Sequence, residues 1–215
     1  MNSPHQNKVE QILDAYSQPR KGSVFVVSGP SGVGKTAICK QTMERDSKIS
    51  YSVSYTTRDK RPGEQEGKEY HFVSRDQFQK QIEEKGFWEY AQVHGNLYGT
   101  SRIASEKNCQ AGYDLLMDLD VQGARQLRKL DIDAHFIFIL PPSMEILRER
   151  LVKRRDTTEG EIEARMEEAY HEMALCQEYD YIIINRDLDK SVETFCNIVL
   201  ACRAKNFKLK GKIND

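Results

Sequence analysis

Residues 24–36 read VFVVSGPSGVGKT, and this stretch decides the fold. Four apolar residues, three of them β-branched valine, and a serine (VFVVS) run directly into the pattern G-x-x-x-x-G-K-[ST]. Chance matches to that pattern alone occur in on the order of 1% of chains this size. The context narrows the reading further, because a phosphate loop needs a strand before it and a helix after it. Both are written here: the apolar run precedes, and a helix-length segment at 35–45 follows. Gly29, Gly32 and Gly34 let the backbone wrap with its N–H groups turned inward. Pro30, Ser31 and Val33 complete the wrap, and the positive end of the following helix adds to it. The pattern implies that Lys35 bridges the β- and γ-phosphates of a nucleoside triphosphate, with the Thr36 hydroxyl on Mg²⁺.

Working outward, three further apolar runs read as buried strands: Leu115–Leu119, Phe136–Leu140 and Tyr181–Ile184. They alternate with helix-length segments at 121–130, 143–154, 159–178 and 188–205. Strands apolar on both faces and separated by helices predict an α/β fold, a parallel sheet flanked by helices. Thr158-x-x-Glu161 reads as a capping box for the segment after it. Asp118 and Asp120, in LLMDLD, fall where a strand end would place an acid beside the phosphate loop and its metal.

Residues 51–100 break this rhythm. Short strands at Tyr51–Ser54, Tyr70–Val73 and Trp88–Val93, a short helix near 75–85, and turns at Pro62-Gly63 and Gly95-Asn96 describe a small inserted subdomain. The resulting division is an N-terminal helical extension at 1–21, a core at 22–50, 101–142 and 178–205, and an insertion at 51–100. A lid region at 143–177 and a basic tail at 206–215 complete it. Within the extension, Val9, Ile12, Leu13 and Tyr16 have the spacing of an amphipathic helix packed on the body.

Composition excludes several classes. The 215 residues carry 32 Lys+Arg against 33 Asp+Glu, a formal charge of −1. That balance argues against a nucleic-acid coat or a membrane-surface binder, so any anion site must be built from locally placed cations. Five cysteines without a Cys-x-x-Cys pair fit neither a disulfide framework nor a zinc site. No apolar stretch resembles a signal peptide or spans a bilayer, which predicts a cytoplasmic protein.

Two arginine clusters could surround a transferring phosphate: Arg58 and Arg61 in SYTTRDKRPGE, and Arg148 to Arg155 continuing to Arg165. The second could equally be a solvated helix face, with Glu161 and Arg165 an i, i+4 ion pair. Here the chain resembles the guanylate kinases, from about residue 22 to residue 200. The resemblance rests on VSGPSGVGKT, SVSYTTRDKRPGEQEGKEYHFVS, FWEYAQVHGNLYGTS, LLMDLDVQGA, RLVKRRDTTEGEIEARM and IIINRDLDK, in that order.

The resemblance implies a P-loop core with a small mixed α/β GMP-binding insertion and a helical lid, acting on ATP and GMP, with dGMP as a further acceptor. It implies that Arg58, Arg61, Tyr70 and Tyr98 hold the GMP phosphate, and that Ser54, Glu89 and Thr100 read guanine with Asp118 or Asp120 close by. A carboxylate at Glu89 suits this role: guanine offers two adjacent donors, whereas adenine presents an acceptor. Sites built this way discriminate by about 10⁴–10⁵. Arg154 and Arg165 would be lid arginines, with Arg150 a lesser candidate, and Asn185 would lie on the ATP adenine or ribose side. Lys35, Arg58, Arg154 and Arg165 form the catalytic set. Thr36 and Asp118 would attend Mg²⁺, which arrives with ATP. Interaction modules built on this fold typically lose the phosphate loop and lid arginines, and this chain keeps both.

Overall fold

The computed structural model describes residues 6–10, 13, 20–93, 95–153 and 158–205. Arg154 and Arg155, His94, and Lys208 to Lys212 of the tail lie outside these. So does most of the N-terminal segment, of which residues 6–10 and 13 are helical, with Val9 and Leu13 exposed.

Strand β1 (Val24–Ser28) is the centre of a five-stranded sheet. Every one of its residues is buried because the sheet is covered on both faces. Its side chains alternate as the pleat requires: Phe25 and Val27 enter one core cluster, Val24 and Val26 the other. The order is β2-β7-β1-β8-β9, with β2 Ile49–Tyr51, β7 Asp114–Asp118, β8 Ala134–Leu140 and β9 Tyr181–Ile184. All four pairings are parallel. Helices α1 (Lys35–Arg45) and α7 (Leu188–Arg203) cover one face through Ile38, Cys39, Val192, Phe195 and Val199. Helix α4 (Val121–Arg128) covers the other through Ala124 and Leu127.

The second sheet has four strands, ordered β4-β3-β6-β5: β3 Ser54–Thr56, β4 Tyr70–Phe72, β5 Phe87–Val93 and β6 Asn96–Ser101. Strands β3 and β4 are parallel, while β6 runs antiparallel to both β3 and β5. Helix α2 (Arg75–Glu83) begins at a capping box of Ser74 and Gln77, and its Phe78 stacks on Phe87 of β5. Helix α3 (Arg102–Gln110) returns the chain to the core sheet.

Two differences from the sequence reading have physical causes. Ile49–Tyr51 belongs to the core sheet, paired with β7, so the inserted sheet begins at Ser54 rather than Tyr51. A three-residue edge strand with one buried apolar residue, Ile49, gives little periodic signal. Helix α3 was read only as core, without a helix, because its buried face consists of Ser105 and Cys109.

Helices α5 (Met144–Val152) and α6 (Glu159–Ala174) lie within the expected lid region, 143–177. The capping box of Thr158 and Glu161 opens α6 as expected. Arg148 joins the two helices through Glu159 and Glu163.

Candidate active site

The chain leaves β1 at its C-terminal end and turns through Gly29–Gly34 into α1. Gly29, Gly32 and Gly34 all have positive φ, at 145°, 85° and 105°. At two of them space forbids a side chain as well. A Cβ on Gly29 would lie 2.4 Å from the Ile139 carbonyl oxygen, and one on Gly34 would lie 2.4 Å from Asn185 Nδ2. Gly34 is the N-cap of α1, with no side chain bonded to the first-turn N–H groups and no acid in the first turn. Those donors and the positive helix end have no side-chain partner among the described residues, an arrangement that suits phosphate. Lys35 Nζ donates to the Gly29 carbonyl at 2.5 Å, holding the ammonium over the loop.

The loop is braced from behind. Asn185, at the end of β9, is 5% exposed. Its Nδ2 donates to the Val33 carbonyl at 2.8 Å, and its Oδ1 accepts from Ser191 Oγ at 3.0 Å. Arg150 of α5 donates to the carbonyls of Val33 and Asn185, each at 3.0 Å. The side chain of Asn185 thus supports the loop instead of lining the cavity, and Val33 is buried in the core.

A cavity of about 600 Å³ opens between the two sheets. At one end lie Gly29, Pro30, Ser31, Gly32, Gly34, Lys35 and Thr36; at the other lie Ser54, Tyr70, Glu89 and Tyr98. Asp118 and Asp120, from the end of β7, stand between them. Arg165, Glu168 and Glu172 reach in from α6, sharing one face at i, i+3, i+7, while Ile162, Met166 and Ala169 bury the adjoining face. Among described residues the lining holds six carboxylates (Glu69, Glu89, Asp118, Asp120, Glu168, Glu172) against three cations, Lys35, Arg150 and Arg165. The sequence reading contained neither Glu168 nor Glu172, because charges on a helix read equally as a solvated face.

Burial dominates the electrostatics. It pushes the Asp118 carboxyl above its usual range, with Lys35 opposing. It pushes Glu172 up to about 7, again opposed by Lys35. Glu89 is 4% exposed and also rises to about 7 through burial, although the Thr100 hydroxyl donates to its Oε1 at 2.6 Å and stabilises the charge. Thr100 is fully buried and touches the cavity only through Glu89. Asp120 caps α4, accepting from Gly123 N at 2.8 Å.

Arg58 and Arg61 sit at the edge of this arrangement. The Arg58 guanidinium donates to Glu64 at 2.7 Å and lies 5.5 Å from the centre of the Tyr70 ring, which brings it beside the cavity wall. Glu64 raises the Arg58 pKa further, so the cation is permanent. Glu64 also accepts from the Arg61 backbone N–H at 2.8 Å, so one acid ties both arginines to a single turn. Among the described residues no three His, Cys, Asp or Glu side chains gather into a metal-binding group.

Residues 21–201 match the family model described as guanylate kinase. The chain belongs to the guanylate kinase family. The guanylate kinase of Saccharophagus degradans is 48% identical over 89% of this chain and 93% of its own length. That of Thermotoga maritima is 43% identical over 90% and 93%. Among solved structures, the guanylate kinase of Anaplasma phagocytophilum superposes with a TM-score of 0.71 at 36% identity, covering 86% of this chain and 88% of that one. The five-stranded parallel sheet with its flanking helices is thus the P-loop core of this kinase family. Among the described residues no helix is long and apolar enough to cross a membrane.

Proposed function

We propose that the chain is a guanylate kinase that carries the γ-phosphate of ATP to GMP, yielding ADP and GDP, through the residues that converge on the central cavity. The observation that carries this reading is the shared cavity itself. The glycine loop and Lys35 lie at one end, a buried carboxylate on β5 lies at the other, and no wall separates them.

In this reading the loop N–H groups and Lys35 hold the ATP phosphates. Glu89, oriented by Thr100, accepts the N1–H and 2-amino protons of guanine, with Ser54 and Asp120 beside it. Arg58, Tyr70 and Tyr98 take the GMP phosphate, and Arg61 joins them as the turn at Pro62-Gly63 closes. Arg165 and Arg154 approach the transferring group from the 143–177 segment, the proposed lid. The inserted sheet then serves as the acceptor-binding unit. No general base is needed, because the attacking oxygen of GMP is already anionic. The residues' task is to align two polyanions and exclude water, which competes as acceptor.

The cavity's surplus of carboxylates fits a divalent cation arriving with ATP. Asp118 makes no side-chain hydrogen bond to a described residue and stands near Lys35, and Thr36 lies in the first turn of α1. Thr36 and Asp118 would attend Mg²⁺, held mainly by the phosphates, where it neutralises their charge. GMP is the acceptor proposed, with dGMP taken through the same contacts. ADP release with ATP and Mg²⁺ should be fast with GMP and near background with AMP, UMP and dTMP. Equal rates with AMP would overturn the guanine assignment. Lys35→Met should lower turnover by about 10²–10³-fold by removing the bridging charge (the order of one electrostatic catalytic contact), and near-normal kcat would remove the phosphate-loop role.

A further inference from the structure

Glu89 does not find its position on β5 alone. Its Oε1 is fixed by Thr100, directly opposite on β6. Its Oε2 lies against the first turn of α4, at Gly123. A Cβ built on Gly123 would stand 2.6 Å from Glu89 Oε2, 3.3 Å from Glu89 Cδ and 3.4 Å from Asp120 Oδ1. The glycine's φ is not positive, so backbone strain does not explain a glycine there. Alanine is the better helix former at such a position, which leaves the close approach as the physical reason.

That approach is enforced one turn further along α4. Gln126 grips the free edge of β5, its Nε2 donating to the Tyr90 carbonyl at 2.7 Å and its Oε1 accepting from Tyr90 N at 3.2 Å. The helix therefore cannot simply retreat to admit a side chain at 123. The same first turn holds Asp120, whose Oδ1 accepts from Gly123 N. One residue thus sets the separation of the two acids that face the base end of the cavity.

We propose that Gly123 is a positioning residue for guanine recognition. Its missing side chain lets α4 close on β5, so that Glu89 and Asp120 stand together where two adjacent base donors arrive. The inference rests on the assignment of Glu89 as the guanine reader. Gly123→Ala would push the Glu89 carboxylate off Thr100 and away from Asp120, while the phosphate loop is untouched.

The test is a double-mutant cycle read in steady-state kinetics and in equilibrium titration with GMP. Gly123→Ala should raise the GMP KM about tenfold or more, with kcat and the ATP KM within about threefold. In a Glu89→Asp background, where the carboxylate is drawn back from the helix, the same substitution should cost less than about threefold. A purely structural role for Gly123 predicts the same factor in both backgrounds, and that result overturns the proposal. So does a GMP KM within twofold of wild type in Gly123→Ala. If the single variant folds poorly, the proposal requires Glu89→Asp/Gly123→Ala to regain the thermal midpoint of Glu89→Asp, and failure to do so counts against it. Glu89→Gln separates the two levels. Unchanged GMP affinity in that variant removes the guanine assignment itself, whereas weakened affinity there with a normal Gly123→Ala removes only the role of Gly123.

Discussion

In the role proposed for it, Glu89 both opposes folding and serves binding. Its carboxyl is pushed from 4.5 to about 7 by burial, so the empty protein holds it protonated over much of the range below neutrality. Guanine recognition needs the ionised form, which accepts from both base donors. GMP affinity should therefore rise as pH increases to about 7 and then level off, falling about tenfold per pH unit below that value. The GMP phosphate also titrates near about 6, so the decisive comparison is Glu89→Gln, in which the step near 7 should vanish while the phosphate step stays. Calorimetric titrations from pH 5.5 to 8.5 would show this; an unaltered profile in the variant would assign the step elsewhere. The sign for stability is opposite. A folded-state pKa above the unfolded value contributes stability that is complete below about 4.5 and is lost as pH rises through about 7. Above that, the buried charge costs about 3 kcal/mol, the shift from 4.5 to about 7 converted to free energy. Glu89→Gln should accordingly melt a few degrees higher than wild type at pH 8, with the gap closing at pH 5.

At the scale of elements, the phosphate loop depends on parts far away in sequence. Asn185 after β9, Ser191 on α7 and Arg150 on α5 converge on the Val33 carbonyl and its neighbours. Asn185→Ala would remove the hydrogen bond to Val33 and leave Arg150 as its remaining side-chain donor. The loss should be about 1–2 kcal/mol of stability, because Ser191 Oγ still donates to the Asp187 carbonyl. ATP KM should rise several-fold, with GMP binding at equilibrium unchanged; an unaltered ATP KM would mean that the loop holds its shape without this brace. This brace was invisible in the sequence; only the family resemblance gave Asn185 a role, on the ATP adenine or ribose side. Single-sequence patterns report which face of an element is apolar, not where an amide at a strand end finds its partner. By the same logic β1, β7 and β8 were legible because burial on both faces leaves unbroken apolar runs; edge strand β9 reads the same way from YIII, although Ile182 and Ile184 are exposed. Strand β6, NLYGTS, was not, since a glycine and three small polar residues hide a strand whose Gly99 and Thr100 are buried. The loop glycines were legible because backbone geometry restricts the residue type. Gly123 was not, because its constraint comes from a carboxylate 34 positions earlier.

Across the whole molecule, stability and chemistry occupy opposite ends of the parallel sheet. The cavity lies at the C-terminal ends of the strands, as the crossover topology of open α/β sheets requires. At the N-terminal ends, fully buried Asp114 accepts from Ser23 N at 2.8 Å, from Arg20, and from Arg203 Nε at 2.6 Å. Arg203 also reaches Asp46 after α1, so the last helix, the first helix and the start of β7 are tied at one point. Asp114 and Asp118 are the two ends of one strand, about 13 Å apart, and one anchors the fold while the other lines the cavity. Arg203→Ala would leave Asp114 buried with two of its three partners, costing about 2 kcal/mol, less than the loss of a sole partner to a buried charge. The thermal midpoint should fall by about 4–8 °C. The kcat and both KM values, measured at 20 °C where the variant remains folded, should stay within twofold of wild type. A KM shift as large as that of Asn185→Ala would show instead that the two ends are mechanically coupled through β7. An unchanged midpoint would show that Arg20 and the Ser23 amide are sufficient to hold the Asp114 charge.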